Sequence, residues 1–252
     1  MAFIDIHSHL LPGLDDGSRD WDMTEAMLRQ AKEDDIGCII ATTHADPARK
    51  EFPLAKYMET LEKANLLSRQ LGLGVTLYPG AEIMYADSVT ERLLEGNRIP
   101  SLAGSRHTLI EFYPGVKYDT ILTAIRRLAY IGYTAVLAHI ERYECLYKKY
   151  DRIAEIKATG AKLQVNCGSF VKKPGFFAAR YLDKLLTDGS INFLATDAHS
   201  DTVRRINMKE AYDIIIKRRP DDGWLFQGVG LGIGEPSPIV TEAEGKPLIV
   251  AP

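Results

Sequence analysis

The residues best equipped for chemistry in this chain are histidines and carboxylates set at the ends of short apolar runs. His7 and His9 follow Phe-Ile-Asp-Ile, and their spacing of two puts both imidazoles on one face of an extended segment, within reach of one cation. His44 ends Ala-Thr-Thr-His, Glu82 lies in Gly-Ala-Glu-Ile, Glu111 in Leu-Ile-Glu-Phe, His139 in Leu-Ala-His, and Asp197 and His199 in Ala-Thr-Asp-Ala-His. Asp15 and Asp16, in Leu-Asp-Asp-Gly-Ser, read either as a turn or as a further oxygen ligand. Any one of these residues alone is more often structural, a hydrogen-bonded histidine or a carboxylate capping a helix. Five of the six histidines at such positions is a concentration that independent structural roles would not produce. His107, at the opposite end of its run, is assigned no function.

With one acid of the Asp-Asp pair included, the candidates number nine, more than the three or four protein ligands of a mononuclear catalytic site. Two or three divalent ions are implied. Nitrogen and carboxylate donors without sulfur suit manganese, iron or zinc. Closely spaced ions lower the pKa of water from about 15.7 toward about 7 and stabilise both oxygens of an in-line displacement, which is phosphoester or amide hydrolysis. Arg142, three residues after His139, and Arg204, five after His199, supply the guanidinium groups that favour phosphate; Arg205 reads as a solvated neighbour.

Positioning such a set requires strands whose ends share one rim. The chain alternates β-branched runs with longer amphipathic segments, the pattern of a parallel sheet with helical crossovers. It predicts strands over Phe3–His7, Cys38–Thr43, Val75–Tyr78, Thr108–Phe112, Ala135–Ala138, Lys162–Asn166 and Asn192–Ala195. Helices are expected over Met23–Lys32, Leu54–Leu71, Ser88–Leu94, Thr120–Tyr130, Arg152–Ala158, Tyr181–Leu186 and Met208–Lys217. Gly37, Gly72, Gly132, Gly160 and Gly189 fall between a helix and the next strand, where a left-handed residue ends a helix at little cost. In an α/β barrel the C-terminal strand ends carry the site, and every candidate ligand falls there; only the sixth strand supplies none.

Size and composition agree with one barrel. A 252-residue chain suits a single α/β domain spanning residues 1–252, with the Gly/Pro-rich segment after Pro220 closing it as a strand or loop. A phosphate-cradling reading of Gly-Val-Gly-Leu-Gly-Ile-Gly is set aside, since no helix follows. A net charge of -3 gives no electrostatic case for nucleic acid or an anionic membrane. The absence of a long apolar run or a leader-like N-terminus makes a cytoplasmic location the expectation, and the composition predicts no oligomeric state. Cys38, Cys145 and Cys167 form neither a CxxC pair nor a cysteine-x5-arginine loop, so their spacing suggests neither a thiolate zinc site nor a phosphocysteine mechanism.

The ordered motifs Ile-Asp-Ile-His-Ser-His, Asp-Asp-Gly, Ala-Thr-Thr-His, Gly-Ala-Glu-Ile, Leu-Ile-Glu-Phe, Ala-His-Ile-Glu-Arg-Tyr, Gln-Val-Asn and Ala-Thr-Asp-Ala-His resemble the polymerase and histidinol phosphatase (PHP) superfamily. Within it they are most similar to the bacterial manganese-dependent protein-tyrosine phosphatases of capsule and exopolysaccharide loci. The likeness runs from about Phe3 to about Asp213. It implies a distorted (β/α)7 TIM-like barrel and a trinuclear metal site of His7, His9, Asp16, His44, Glu82, Glu111, His139, Asp197 and His199. Asp16 is thereby preferred to Asp15, Glu82 becomes the bridging carboxylate, and Arg142 and Arg204 become the catalytic, phosphate-binding arginines. The implied cofactor is manganese, with iron or zinc as alternatives, and the implied partner is the phosphotyrosine tail of a bacterial tyrosine kinase that controls polysaccharide export. Histidinol phosphate or another small phosphoester is the alternative substrate. The loop after His44, Ala-Asp-Pro-Ala-Arg-Lys-Glu-Phe, lacks the His- or Arg-rich, glycine-containing sequence usual in that family. An amidohydrolase or deoxyribonuclease barrel fits less well, because it usually carries a histidine on strand six, and a non-enzymatic regulator does not explain the full ligand set.

Overall fold

The computed structural model describes residues 2–94, 98–172, 174–229, 231, 240–243 and 246–249. Seven strands, β1 (Phe3–Ser8), β2 (Ile36–Ala45), β3 (Thr76–Met84), β4 (His107–Glu111), β5 (Thr134–Leu137), β6 (Lys162–Asn166) and β7 (Phe193–Ala195), lie in sequence order in one sheet. Every neighbouring pair is parallel. The sheet curls until its ends meet: Ser8 bridges Ala198, the Asp197 amide donates to His7 O at 2.8 Å, and the His9 amide donates to Ala198 O at 2.8 Å. The result is a nearly closed (β/α)7 TIM-like barrel, as the alternation of strand and helix patterns predicts.

The crossovers are α1 (Trp21–Glu33), α2 (Leu54–Gln70), α3 (Val89–Leu94), α4 (Tyr118–Tyr130), α5 (Tyr150–Ala158), α6 (Gly168–Val171), α7 (Phe176–Thr187) and α8 (Met208–Ile216). Their burial follows their periodicity: α1 buries Met23, Met27, Leu28 and Ala31, and α4 buries Ile121, Leu122, Ile125 and Leu128. Asp20 caps α1 by accepting from the Met23 amide at 2.9 Å. The larger apolar cluster fills the layer between strands and helices, and a smaller one, with Ile6, Ile40, Leu109, Val136 and Phe193 from five strands, fills the barrel. No helix among the described residues is long and apolar enough to cross a membrane.

Three details differ from the sequence expectation. β2 and β3 run on to Ala45 and Met84, so His44 and Glu82 lie inside paired strands rather than beyond them; ladder hydrogen bonds carry β3 through Pro79-Gly80, residues that locally read as a stop. Gly72, Gly132, Gly160 and Gly189 do take positive φ, but Gly37 sits within β2 and the left-handed turn before it falls on Asp35, with φ 59. After Pro220 a 3-10 turn, Pro220–Phe226, buries Leu225 and Phe226. Most of the glycine-rich tail lies outside the described residues, beyond which Val240–Ala243 and Lys246–Ile249 pair as antiparallel strands.

Candidate metal centre

Each of the nine residues singled out as ligands stands at the C-terminal rim of the barrel, and their side chains converge. Three sets hold one donor atom per residue within 4.8 Å of one another: His7, His9, Glu82 and Asp197; His9, Asp16, His44 and His199; and His44, Glu82 and Glu111. His139 joins them through Nε2, 2.8 Å from Glu82 Oε1 and 3.8 Å from Glu111 Oε2. Glu82 is the hub, its Oε2 lying 3.1 Å from His7 Nε2, 3.2 Å from His9 Nε2 and 3.2 Å from His44 Nδ1.

The geometry at the centre of this set tests whether a cation fits. His7 Nε2 and His9 Nε2 are 3.1 Å apart. Their other nitrogens face acceptors, Gln164 Oε1 at 3.2 Å and Asp15 Oδ2 at 2.9 Å, so each Nδ1 carries the hydrogen. If both rings are neutral, two imidazole lone pairs and a carboxylate oxygen point at one another; if both are protonated, two cations face each other at hydrogen-bond distance. With both rings neutral, a divalent ion accepts both lone pairs and offsets the carboxylate charge, and the mixed nitrogen and oxygen donor set suits one.

A second layer of side chains aims the first. Asp15 accepts from His9 Nδ1 and from the His44 amide, both at 2.9 Å, and from the Gly17 amide at 2.9 Å, whereas Asp16 turns its Oδ1 toward His44 Nε2 at 3.3 Å and His199 Nε2 at 3.6 Å. The paired acids therefore divide into one that orients and one that faces the rim. Gln164 Oε1 also accepts from the His139 amide at 2.8 Å, and its amide nitrogen donates to Asn166 Oδ1 at 2.8 Å, which fixes which end of the side chain is oxygen. Asn166 Nδ2 donates to Asp197 Oδ2 at 2.7 Å, and His199 Nδ1 donates to Asp197 O at 3.0 Å, leaving its Nε2 toward Asp16. Behind the centre the buried Asp5 accepts from Thr196 Oγ1 and from the Thr196 amide at 3.0 Å, tying β1 to the segment that carries Asp197.

Backbone strain accompanies this arrangement. His139 and Asp197 take left-handed φ of 32° and 52°, which side-chain-bearing residues hold only where surrounding contacts over-determine them. The electrostatics are equally specific. Burial pushes the Asp5 carboxyl up to about 6. Burial alone would raise Glu82 and Asp197 and lower His7 and His9; the opposite charges around them prevail, holding both carboxyls well below the usual range and both imidazoles above it. His199 goes the other way, to about 3, through burial and the neighbouring His9 charge.

Arg142 Nη2 lies 2.8 Å from Asp197 Oδ2 and Arg204 Nη2 lies 2.7 Å from Asp197 Oδ1, so both guanidinium groups border the histidine and carboxylate cluster while remaining partly exposed. Arg205 instead bonds Ile206 O and Glu210, as a solvated neighbour would. Sequence reading passed over Gln164, Asn166 and Asp5. The signal for the first two was present: alternate polar residues at the end of β6 occupy one face, the face that points to the site on the other strands.

Residues 3–224 match the family model described as capsular polysaccharide synthesis, CpsB/CapC. The chain is 33% identical to the tyrosine-protein phosphatase CpsB of Streptococcus pneumoniae over 221 residues, covering 85% of this chain and 90% of that protein. It is 28% identical to the tyrosine-protein phosphatase YwqE of Bacillus subtilis, covering 85% and 84% respectively. Among solved structures it is similar to those of YwqE and CpsB, described as unique metal-dependent tyrosine phosphatases, with a TM-score of 0.79 at 28% identity over 87% of this chain and 88% of that one. The histidinol phosphate phosphatase of Lactococcus lactis, at TM-score 0.55 and 13% identity over 85% of this chain and 93% of that one, shares the fold.

Proposed function

The chain belongs to the capsular polysaccharide synthesis CpsB/CapC family, and from that premise we propose that it is a metal-dependent protein-tyrosine phosphatase. The observation that carries this reading is the mutual approach of His7 Nε2, His9 Nε2 and Glu82 Oε2 within 3.2 Å, bordered by two arginines. His7, His9, Asp16, His44, Glu82, Glu111, His139, Asp197 and His199 would hold two or three divalent ions, with manganese the proposed metal. Bound ions supply Lewis acidity, acidifying water toward neutral pH and offsetting the charge of the phosphoryl group.

The protein's own groups do the rest. Asp15 and Gln164 fix the rings of His9 and His7 so that each Nε2 faces inward. Arg142 and Arg204 offer planar donor pairs to the phosphoryl oxygens, with Asp197 holding both until a substrate phosphate competes for them. A phenol of pKa about 10 is a better leaving group than an alkoxide, so a tyrosyl ester asks little of a general acid. A thiol route finds no support in this chain, because burial pushes the Cys38, Cys145 and Cys167 thiols up, away from the thiolate a nucleophile requires. The proposed substrate is the phosphotyrosine tail of a bacterial tyrosine kinase that controls polysaccharide export.

The test is side-by-side turnover of a phosphotyrosyl peptide, a phosphoseryl peptide and histidinol phosphate by manganese-loaded protein, with chelator-treated protein as control. Metal-dependent preference for the phosphotyrosyl peptide is expected. Preference for histidinol phosphate would refute the substrate assignment, and turnover by the chelated protein would refute the metal.

A further inference from the structure

Next to the metal centre, and sharing Asp197, Arg142 and Arg204 with it, an open cleft of about 420 Å³ runs over the ends of β5, β6 and β7. Its charges divide by depth. Of the two acids in the lining, Asp197 has a side chain only 2% exposed and is held by Arg142 and Arg204. Glu141 Oε1 accepts from the Asn166 amide at 3.0 Å and from Ser169 Oγ at 2.7 Å, and Glu141 Oε2 is buried. The cations lie outward: the side chains of Arg142, Arg204 and Arg205 are 45%, 36% and 49% exposed, and Lys172, just after α6, is exposed as well. The space open to a ligand therefore faces positive charge.

These four cations differ in what they already hold. Arg142 and Arg204 are turned to Asp197 and stand ready for the phosphoryl group, and Arg205 bonds Ile206 O and Glu210, each at 3.1 Å. The Lys172 ammonium has no hydrogen bond or ion pair among the described residues. The surface beside it suits a polypeptide. Tyr147 lines the cleft and adjoins the exposed Phe177, with Lys148 Nζ 5.0 Å from the Tyr147 ring centre and 4.5 Å from that of Phe177. A small phosphoester at the metal centre ends short of this shelf, whereas each residue flanking a phosphotyrosine extends the ligand by up to about 3.5 Å.

We propose that this cleft is a substrate subsite for an acidic side chain flanking the phosphotyrosine, with the Lys172 ammonium as its counter-charge. One unpartnered ammonium matches one carboxylate. An aliphatic side chain leaves it unused, and a lysine or arginine meets like charge from every exposed ionic group of the lining. The subsite gives the enzyme a preference for acidic sequence around the phosphotyrosine, and it rests on the phosphatase reading above.

The experiment measures kcat/KM of the full manganese-loaded chain on phosphotyrosyl peptides in which each flanking position in turn carries Glu, Ala or Lys, with phenyl phosphate as a substrate that has no flanking residue. At one position or more, Glu is expected to exceed Ala about fivefold, the scale of an exposed ion pair, and Ala to exceed Lys. Raising the ionic strength from about 0.1 M to about 1 M shortens the screening length from about 10 Å to about 3 Å and should shrink the preference. Lys172 is exposed and outside the nine-residue cluster, so Lys172→Glu should bring the Glu and Ala peptides within twofold of each other while leaving turnover of phenyl phosphate unchanged. Values within twofold for all three residues at every position would overturn the subsite while leaving the phosphatase reading intact. So would a preference for Glu that survives high salt or Lys172→Glu. Absence of a peptide preference together with binding to phosphatidylglycerol vesicles that Lys172→Glu abolishes would assign the cleft to a lipid surface instead. No turnover of any phosphotyrosyl peptide would overturn the phosphatase reading and the subsite with it.

Discussion

Replacing Asp15 by Asn separates an orienting carboxylate from a ligand. Asp15 is almost fully buried and accepts three hydrogen bonds, from His9 Nδ1, the His44 amide and the Gly17 amide, each at 2.9 Å. The hydrogen bond and charge of His9 and the two backbone amides outweigh the desolvation that burial imposes, and hold its pKa at about 2 against an ordinary 3.8. That displacement corresponds to about 2.5 kcal/mol of stabilisation of the metal-free protein at pH 7. Because the folded-state pKa is depressed, the contribution is fully present above pH about 4 and is lost as the pH falls through about 2. Asp15→Asn removes the charge but not the shape. Metal-free Asp15→Asn protein should therefore be about 2 kcal/mol less stable than wild type in urea at pH 7, with the difference shrinking in acid. Manganese should bind it about 10–100-fold more weakly, since His9 loses the acceptor that sets its tautomer and raises its basicity. Equal urea midpoints and equal metal affinities, measured by denaturation and calorimetry, would refute the orienting role.

Substituting Arg142 or Arg204 by Ala should lower kcat/KM for a phosphotyrosyl peptide about 10²–10³-fold, and Lys should restore little, because an ammonium lacks the planar donor pair; recovery to near wild-type rates with Lys would show that charge alone suffices. Gly17→Ala places a Cβ 2.0 Å from His9 O and 2.5 Å from His9 Cβ, so the loop carrying Asp15 and Asp16 must shift. A loss of at least about 2 kcal/mol in stability and weaker metal binding are expected, and an unchanged melting temperature would contradict the close approach. Metal affinity should fall with pH: His7 and His9 have raised pKa values in the metal-free protein and must be neutral to bind a cation, so their protons compete with metal as the pH drops through those raised values. Calorimetry in buffers of different ionisation enthalpy reads the released protons, and no release near neutral pH would exclude imidazolium ions in the metal-free centre.

The alternation of strand and helix patterns, and the residue types at the ends of the strands, belong to the sequence. Each is a local quantity: a period of two or of 3.6 residues, a glycine where φ turns positive, a histidine two residues from another. The His7–His9 pair and the order of the seven strands could therefore be read directly, while Gly37 could not, because Asp35 makes the same turn two residues earlier. Tertiary structure decided what depends on neighbours far away in the chain. β3 continues through Pro79-Gly80 because β2 pairs with it, and this continuation sets Glu82 against His7, His9, His44 and His139. Asp15 and Asp16 are indistinguishable as adjacent acids; only the closing of β1 toward β2 and β7 turns one to a ring nitrogen and the other to the rim. Gln164 orients His7 from 157 residues away, and the pocket lined by Glu141 and Asn207 joins segments with the strands β6 and β7 between them in the chain. Local propensity carries no information about such contacts, since their energy exists only once the barrel has closed and water has left the space between them.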